Sequence, residues 1–334
     1  MLHAFLEDRS PRVRVALGVS GVILTLIALI AWGPRPRVSA RWVEPSLPSD
    51  IDAYLAAGEA RVGGLRDGEA KSVVWADSVG KHRTELSVAY VHGFSADRHE
   101  VEPLVTQLAT SLGANAYFAR LRGHGRDGVG LGEARVEDWL TDAAEAVSIG
   151  GSIGERVILV GTSTGGTLAL WAAAQEEAVE RVAAVVLLSP NLGLRDRTSE
   201  VLLWPWGGLA ARLIEGGERC FEPVNAAQAR HWTTCYPTRA LVATMALVHL
   251  VRTADLSGLR APVLTLYSPD DEIVDPGATE RVLDALPPGQ SVMIAVRGAE
   301  DPQQHVIAGE ILSPGTTDRA LATVLRFLLE RGIG

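Results

Sequence analysis

From Lys71 onward the chain alternates short apolar runs with amphipathic stretches. Runs such as RVILVG at 156–161 and VAAVVLLSP at 182–190 are almost continuously apolar, which is typical of strands buried on both faces of a sheet. Further strand-like runs lie at 72–76, 86–91, 115–121, 261–268 and 291–296. Between the runs, apolar residues recur at helical spacing in segments at 100–113, 136–150, 166–178, 277–286 and 317–330. The alternation predicts an α/β fold with a mostly parallel central sheet and helices on both faces.

The segment at 191–258 interrupts this alternation. It follows one predicted strand and precedes the next, so we expect it to form a cap over the carboxyl ends of the strands, where open sheets bind ligands. A further helix is predicted within it at 239–251. Trp204, Trp206 and Trp232 either line an apolar cleft for substrate or pack the cap onto the core, and the sequence leaves both alternatives open.

The amino terminus has a different pattern. Eighteen residues from Val15 to Trp32 carry no charge, and as a helix they would span roughly 27 Å, just enough for the core of a bilayer. We expect an uncleaved, single-pass transmembrane anchor at 1–37; a cleaved signal peptide and a buried helix are the alternatives. Arginines are equally numerous on both sides of the run, so the positive-inside rule does not set its orientation. A stalk with a short helix is predicted at 38–70, and the main domain at 71–334.

Composition narrows the possible partners. Of the 334 residues, 47% are hydrophobic and 21% are charged, which is typical of a globular protein, and the net charge of -9 with scattered arginines predicts no nucleic-acid partner. GHGRDG at 123–128 has the glycine spacing of a dinucleotide fingerprint. That fingerprint must open a helix at once, however, and here we expect the next helix only near Val136. No cofactor and no metal site are predicted.

The pattern Gly-x-Ser-x-Gly occurs twice, around Ser152 and around Ser163. An activated serine on a parallel sheet lies in a sharp turn that leads from a strand into a helix. Ser163 has the apolar run RVILV before it and TLALWAAA after it, whereas Ser152 has a helix before it and a strand after it. Ser163 is therefore the candidate nucleophile, and GGSIG at 150–154 is expected to end a helix.

A serine nucleophile requires a base and a group that orients the base. On this type of sheet the chain order is serine, acid, histidine, and His305 is the one histidine beyond the late strand at 261–268. The acid is expected in SPDDEIVDP at 268–276, where Asp270, Asp271, Glu272 and Asp275 compete. Asp275 precedes Pro276 and is therefore expected to be the N-cap residue of the next helix.

Two backbone N–H groups are needed to receive the oxyanion that forms during attack on a carbonyl. YVHGFSADR at 90–98 follows an early strand, and its His92-Gly93 pair allows close approach of the backbone. We expect the N–H groups of Phe94 and Thr164 to be the donors, with His92 near the substrate. The two cysteines, Cys220 and Cys235, are fifteen positions apart and either form a disulfide or remain two separate thiols. A disulfide favours an extracytoplasmic location of the domain.

These motifs together resemble the α/β-hydrolase superfamily, and within it the group of monoacylglycerol lipases, carboxylesterases and serine aminopeptidases. The resemblance rests on HGF at 92–94, LRGHG at 121–125, GTSTGG at 161–166, SPDDEIVDP and QHVI at 304–307, in the family's order. It implies an α/β-hydrolase fold with Ser163 as nucleophile, Asp271 as acid and His305 as base. Thr164 stands where many relatives carry Met, but only its backbone is needed.

The resemblance implies a serine hydrolase that cleaves carboxylic esters through an acyl-enzyme. A small acyl ester, such as a monoacylglycerol or a lysophospholipid, is the expected substrate, because an apolar cap beside a membrane favours acyl chains. The same triad also serves amidases, peptidases and acyltransferases. An alternative of another class is a binding protein that keeps the fold without activity.

Overall fold

The computed structural model describes residues 11–334. The strands in this part of the chain are β1 (Ser72–Val74), β2 (Thr84–Val91), β3 (Asn115–Phe118), β4 (Gly154–Thr162), β5 (Val182–Leu188), β6 (Glu218–Cys220), β7 (Cys235–Pro237), β8 (Val263–Tyr267) and β9 (Ser291–Ala295). The α-helices are α1 (Pro11–Ala31), α2 (Ile51–Glu59), α3 (Leu104–Ser111), α4 (Gly128–Glu133), α5 (Val136–Ile153), α6 (Thr164–Ala173), α7 (Gly207–Ile214), α8 (Ala226–His231), α9 (Arg239–Arg252), α10 (Pro276–Leu283) and α11 (Pro314–Glu330). Short 3-10 helices lie at Arg98–Glu100 and Arg197–Leu203.

Seven strands form one central sheet in the order β1-β3-β2-β4-β5-β8-β9. Every neighbouring pair is parallel except β1 and β3, which are antiparallel at one edge. This arrangement matches the α/β-hydrolase fold that the family resemblance implies. The prediction of a mostly parallel sheet is thereby confirmed. Because the strands run in the same direction, the loops that follow β2, β4, β8 and β9 meet at one edge of the sheet.

Both faces of the sheet are buried, which explains the continuous apolar runs. In β4, Val157 and Leu159 pack into one layer of the core, and Ile158 and Val160 pack into the other. The first layer contains residues of α5, α6 and α9, and the second contains residues of α3 and α11. A strand side chain points alternately to the two faces, so a strand covered on both sides is apolar at every position.

The amino-terminal apolar run forms α1, whose large apolar side chains, such as Leu24 and Val22, are 66% and 61% exposed. In the described part of the chain, none of the helices combines the length and the apolar character that crossing a membrane requires. The predicted transmembrane anchor is therefore not supported. The uncharged run of eighteen residues is itself at the short end of the range for a membrane-spanning helix.

The segment predicted as a stalk lies against the main domain. Val38, Trp42 and Leu47 pack on the first core layer, and the Trp42 and Trp171 rings are 6.1 Å apart. The backbone N–H of Ser39 donates to Glu137 Oε1 at 2.9 Å. The predicted short helix is present as α2, and it buries two apolar side chains in the same layer.

The cap comprises the 3-10 helix at Arg197–Leu203, α7, the hairpin β6–β7, α8 and α9. Of these elements, only α9 was predicted. The hairpin pairs Cys220 directly with Cys235, and the two form a disulfide with their Cα atoms 4.1 Å apart. Of the two alternatives for these cysteines, the structure therefore has the disulfide.

The helix α4 corrects one step of the sequence analysis. It begins at Gly128, the last residue of GHGRDG and eight residues before the expected start at Val136. The Asp127 side chain caps it by accepting from Gly130 N at 3.0 Å. The surrounding glycines are packed against protein atoms. A Cβ on Gly128 would overlap the carbonyl oxygen of Cys235 in the cap hairpin. The glycines thus allow the loop to pack closely under the cap.

Candidate active site

Ser163 lies in the turn between β4 and α6, in a backbone conformation with φ 50° and ψ -116°. This region is sparsely populated for residues with a side chain, and such strain is concentrated at functional sites. The turn is held by hydrogen bonds from Ser163 N to Leu188 O at 2.9 Å and from Asn191 N to Ser163 O at 3.0 Å. Neighbouring glycines permit it, because a Cβ on Gly165 would overlap the carbonyl oxygen of Val91.

The second serine pattern has no such geometry. Ser152 lies in the last turn of α5, where its Oγ donates to the Ser148 carbonyl at 3.0 Å, and β4 begins two residues later at Gly154. The predicted helix end is confirmed within a few residues. Ser152 thus lies at the amino end of β4, and Ser163 lies beyond its carboxyl end.

His305 and Asp271 are joined by a hydrogen bond of 2.8 Å between Nδ1 and Oδ2. Asp271 is fully buried, and its other oxygen accepts from the N–H groups of Ile273 and Val274, each at 2.8 Å. Burial of the His305 ring opposes its charged form, but the charge of Asp271 and the hydrogen bond outweigh burial and raise the pKa of His305. No hydrogen bond joins Ser163 Oγ to this ring in the described structure; catalytic bonds of this kind often tighten only when substrate binds.

The other acidic residues of this loop have different surroundings. Asp275 caps α10 by accepting from Gly277 N at 3.0 Å, and the side chain of Asp270 is 69% exposed. A further acid that the sequence analysis missed, Asp301, is 4% exposed and accepts from the N–H groups of His305 and Val306 at 3.0 and 2.8 Å. Asp301 holds the backbone of the histidine loop, whereas Asp271 contacts the ring.

The loop after β2 leaves one N–H group free between two that are bound. Gly93 N donates to Glu100 Oε2 at 2.8 Å, and Ser95 N donates to His124 Nε2 at 3.0 Å. Within residues 11–334, the N–H groups of Phe94 and Thr164 have no acceptor. Free N–H groups on fixed peptides are what an oxyanion site requires.

His92 differs from its predicted place near the substrate. It is fully buried; its Nε2 accepts from Leu121 N at 3.1 Å, so Nδ1 carries the hydrogen that it donates to Gly93 O at 2.8 Å. Burial lowers the pKa of His92 to about 4. Its ring packs against His124, which is also fully buried, with centroids 4.8 Å apart. The two neutral rings connect the loop after β2 with the loop after β3, because each ring accepts a backbone N–H from the other loop. They thereby support the loop that carries Phe94.

The three tryptophans are not grouped in one cleft. Trp204 is 63% exposed, and Trp206 is 41% exposed and contacts the amino-terminal segment, donating from Nε1 to Leu29 O at 2.9 Å. Trp232 is 5% exposed and packs with Val306, beside His305. For Trp232 the structure matches the alternative in which the ring packs the cap onto the core.

Glu100 is a buried residue that the sequence analysis missed. Its Oε2 accepts from Gly93 N at 2.8 Å and from the Tyr90 hydroxyl at 3.0 Å. Burial, only partly offset by these hydrogen bonds, raises the pKa of Glu100 to about 7. A glutamate in a polar loop gives no local signal of burial, so this role could not be read from the pattern. Glu100 fixes the peptide next to Phe94.

Comparisons with known proteins identify relatives of the chain and solved structures with the same fold. A thermostable monoacylglycerol lipase from Bacillus sp. (strain H-257) is 22% identical over 236 residues, which cover 71% of this chain and 89% of the relative. Among solved structures, a chain from a study of the metagenome-derived lipolytic enzymes LipS and LipT superposes with a TM-score of 0.65 at 17% identity, covering 80% of this chain and 99% of that chain. A soluble variant of monoglyceride lipase from Saccharomyces cerevisiae superposes with a TM-score of 0.58 at 15% identity, covering 80% and 93%.

The family model described as "Serine aminopeptidase, S33" matches residues 82–299, a span that includes Ser163 and Asp271 and ends just before His305. This span is more than half of the 334 residues. The chain therefore belongs to the serine aminopeptidase S33 family of α/β-hydrolases and is a serine hydrolase.

Proposed function

We propose that the protein cleaves carboxylic esters through an acyl-enzyme, with Ser163 as nucleophile, His305 as base and Asp271 as the group that orients it. The main support is the coincidence of a strained serine turn with a histidine bonded to a buried carboxylate at the same edge of the sheet. Phe94 N and Thr164 N are the oxyanion donors in this proposal.

In the acylation step, Ser163 Oγ attacks the carbonyl carbon and its proton passes to His305 Nε2. The carbonyl oxygen becomes an oxyanion that accepts from the N–H groups of Phe94 and Thr164. The intermediate collapses, the carbon–oxygen ester bond breaks, and His305 returns the proton to the leaving alcohol. Water then repeats the sequence on the acyl-enzyme and releases the acid. Each oxyanion donor typically contributes about 3 kcal/mol to stabilising the transition state.

Asp271 keeps the reactive tautomer of His305 in place. Its hydrogen bond fixes the hydrogen on Nδ1, so Nε2 is free to accept from the serine. Its negative charge stabilises the imidazolium that forms during attack. Because Asp271 itself accepts two backbone N–H bonds, its carboxylate is held in one orientation.

For the substrate, we propose a small acyl ester such as a monoacylglycerol or a lysophospholipid. The relative from Bacillus is a monoacylglycerol lipase, and the yeast structure is a monoglyceride lipase. The cap also presents apolar side chains to solvent, among them Leu213 and Ile214 of α7, which are 76% and 79% exposed. An acyl chain has the apolar surface to cover such groups.

The test is hydrolysis of glycerol and choline esters of graded acyl length. Ser163→Ala and His305→Ala should each lose about 10⁵-fold in kcat or more, as removal of a triad member commonly does. Ser152→Ala is the matched control, with activity and labelling by a fluorophosphonate probe retained. Full activity in Ser163→Ala would contradict the proposed nucleophile.

The family description as an aminopeptidase favours amide cleavage as a second candidate. Amino-acid anilides in the same assay separate the two bonds. If kcat/KM for an anilide exceeds that for every ester, the ester proposal is wrong and Ser163 serves a peptidase.

We also propose that the domain works in an oxidising compartment. The support is the Cys220–Cys235 disulfide, whose two residues are exposed in the cap hairpin and which would be reduced in the cytosol. Alkylation of free thiols before and after reduction, followed by mass spectrometry, should show no free thiol in protein taken directly from cells. Two alkylated thiols without reduction would contradict this location.

A further inference from the structure

Four titratable side chains meet beside the loop that carries Phe94, and the proposed reaction uses none of them. They come from three separate segments: Glu69 precedes β1, Asp97 and His99 follow β2, and His231 ends α8 in the cap. One ligand atom from each lies within 4.8 Å of the others. We call these four residues the His-carboxylate cluster.

The cluster is built around His231. Its Nδ1 lies 3.1 Å from Glu69 Oε1 and 3.0 Å from Asp97 Oδ2. The other oxygen of Asp97 lies 2.9 Å from His99 Nδ1. A ring nitrogen carries at most one hydrogen, which cannot point at two carboxylate oxygens at once. Without an ion, a proton shared between the Glu69 and Asp97 carboxyl groups is therefore needed to complete the bonding.

Glu69 provides an independent sign of a missing partner. It is 3% exposed, and its second oxygen, Oε2, is buried without a hydrogen-bond partner among the residues that the structure describes. Asp97, beside it, is 1% exposed. Two adjacent carboxylates in a buried site repel each other unless a cation or a shared proton lies between them.

The charges of Arg66 and Arg230 act on Glu69, but in the described part of the chain neither arginine forms an ion pair with it. Arg66 donates to the backbone carbonyls of His231 and Trp232 at 3.4 and 3.3 Å. Arg98 donates to Ser72 and Glu102 at 2.6 and 3.1 Å. In the described part of the chain, neither Glu69 nor Asp97 forms an ion pair with a lysine or an arginine.

The cluster matches the requirements of a zinc ion. Zn²⁺ prefers imidazole and carboxylate ligands at 2.0–2.2 Å in a tetrahedron, which separates the ligand atoms by about 3.4 Å. The close pairs in the cluster, at 2.9 to 3.1 Å, need to move apart by a few tenths of an ångström. The more distant ligand atoms, which lie within 4.8 Å of one another, need to approach by up to about 1.4 Å. The His99 side chain is 33% exposed, which gives an ion access from solvent.

We propose that Glu69, Asp97, His99 and His231 bind one Zn²⁺ ion that fastens the cap to the loop carrying Phe94. The ion has no part in bond cleavage. Its effect is positional: His231 is followed by Trp232, which packs beside His305, and by Thr233, whose N–H donates to Ser95 O at 2.8 Å. No metal site is predicted from the sequence, because the four residues lie in three segments that share no ligand spacing.

The test uses the full chain after treatment with a chelator. Zn²⁺ is titrated in competition with a chromophoric chelator, and Co²⁺ is added separately to record its visible absorption, which distinguishes tetrahedral from octahedral sites. The variants are His231→Asn and His99→Asn, in which an amide N–H replaces the Nδ1–H bond without supplying a good zinc ligand. His249→Asn is the control, since His249 is exposed on α9 in the same cap.

We expect one Zn²⁺ per chain, a tetrahedral Co²⁺ spectrum, and a loss of affinity of at least about 100-fold in His231→Asn and His99→Asn. His249→Asn should bind as the unsubstituted chain does. Absence of zinc uptake by the unsubstituted chain would overturn the proposal, as would equal affinity in His231→Asn. The stoichiometry and the spectrum need no variant, so poor folding of a variant does not decide the result.

Discussion

Two histidines in this protein, His305 and His231, each lie against buried carboxylates near the same loops, yet their surroundings differ. The ring of His305 contacts one carboxylate, and each oxygen of Asp271 has partners. His231 lies between two carboxylates, and one oxygen of Glu69 has no partner among the described residues.

The difference shows that the number of carboxylates around a histidine ring determines what the ring can do. With one fully bonded carboxylate, the ring is oriented and its other nitrogen remains free for proton transfer. With two carboxylates, the negative charge exceeds what one ring can neutralise, and the arrangement suits a divalent cation. Similar residue types thus support a reaction in one place and a binding site in the other.

Among the changes that separate the two histidines, the largest expected effect comes from removing the acid beside each ring. Asp271→Asn should lower kcat by about 10⁴-fold, because the amide no longer holds the reactive tautomer or stabilises the imidazolium. Asp97→Asn should cost less than about 100-fold, since Asp97 contacts no reacting group in the proposed mechanism. Ester hydrolysis under saturating substrate measures both. Equal losses in the two variants would remove the distinction between the two histidines.

The pH dependence of kcat/KM tests the role of Asp271 beside His305. His305 must be neutral to accept a proton, and Asp271 raises its pKa, so kcat/KM should fall with decreasing pH at a midpoint above 6.5. Asp271→Asn should move that midpoint to lower pH, because the charge that favours the imidazolium is gone. A midpoint unchanged in the variant would show that another group controls this limb of the profile.

Glu100 offers an intermediate case, a buried carboxyl with neutral partners. Its pKa rises from 4.5 to about 7, so the folded state holds the proton more tightly than the unfolded chain. The stability that this proton contributes is present below pH 4.5 and is lost as pH rises through about 7, a change of about 3 kcal/mol at most. Denaturant unfolding of the protein and of Glu100→Gln between pH 4 and 8 measures it.

In that series, Glu100→Gln should gain stability relative to the unsubstituted protein as pH rises, because the amide keeps both hydrogen-bond partners and does not ionise. The difference between the two curves isolates Glu100 from other titrating groups. A constant difference across the range would mean that Glu100 keeps an ordinary pKa.

The smallest expected effect concerns the His-carboxylate cluster without metal. His231→Asn in chelated protein should lower the free energy of unfolding by about 1 kcal/mol, since one amide N–H bond replaces the ring's contacts. The thermal midpoint should fall by about 2 °C, with His249→Asn unchanged. A loss of more than about 3 kcal/mol would mean that the cluster stabilises the cap strongly even without an ion.

The sequence predicted those parts of the molecule that local patterns encode. The apolar run before Ser163 and the small residues after it define a strand, a turn and a helix, and β4 and α6 are found there. The position of His305 followed from chain order, and Asp271 from family resemblance. All three depend on neighbours in sequence or on a known order of motifs.

The remaining features depend on contacts between distant segments. His231 meets Glu69 across 162 positions and Asp97 across 134, so no spacing in the chain reveals the cluster. The helix α4 was missed because its sequence, GVGLGE, has three glycines and low helix propensity. The helix α4 is stabilised by its packing under the cap, and this packing cannot be read from the sequence.

The close approach of Gly165 to Val91 also bears on how this enzyme can be altered. Backbone meets backbone there, so the spacing between the nucleophile turn and the strand leading to Phe94 does not depend on any side chain. Cap residues can then be exchanged in a library for new substrates while the reacting groups keep their separation. Such a library should leave position 165 untouched, because even alanine would push the two main chains apart.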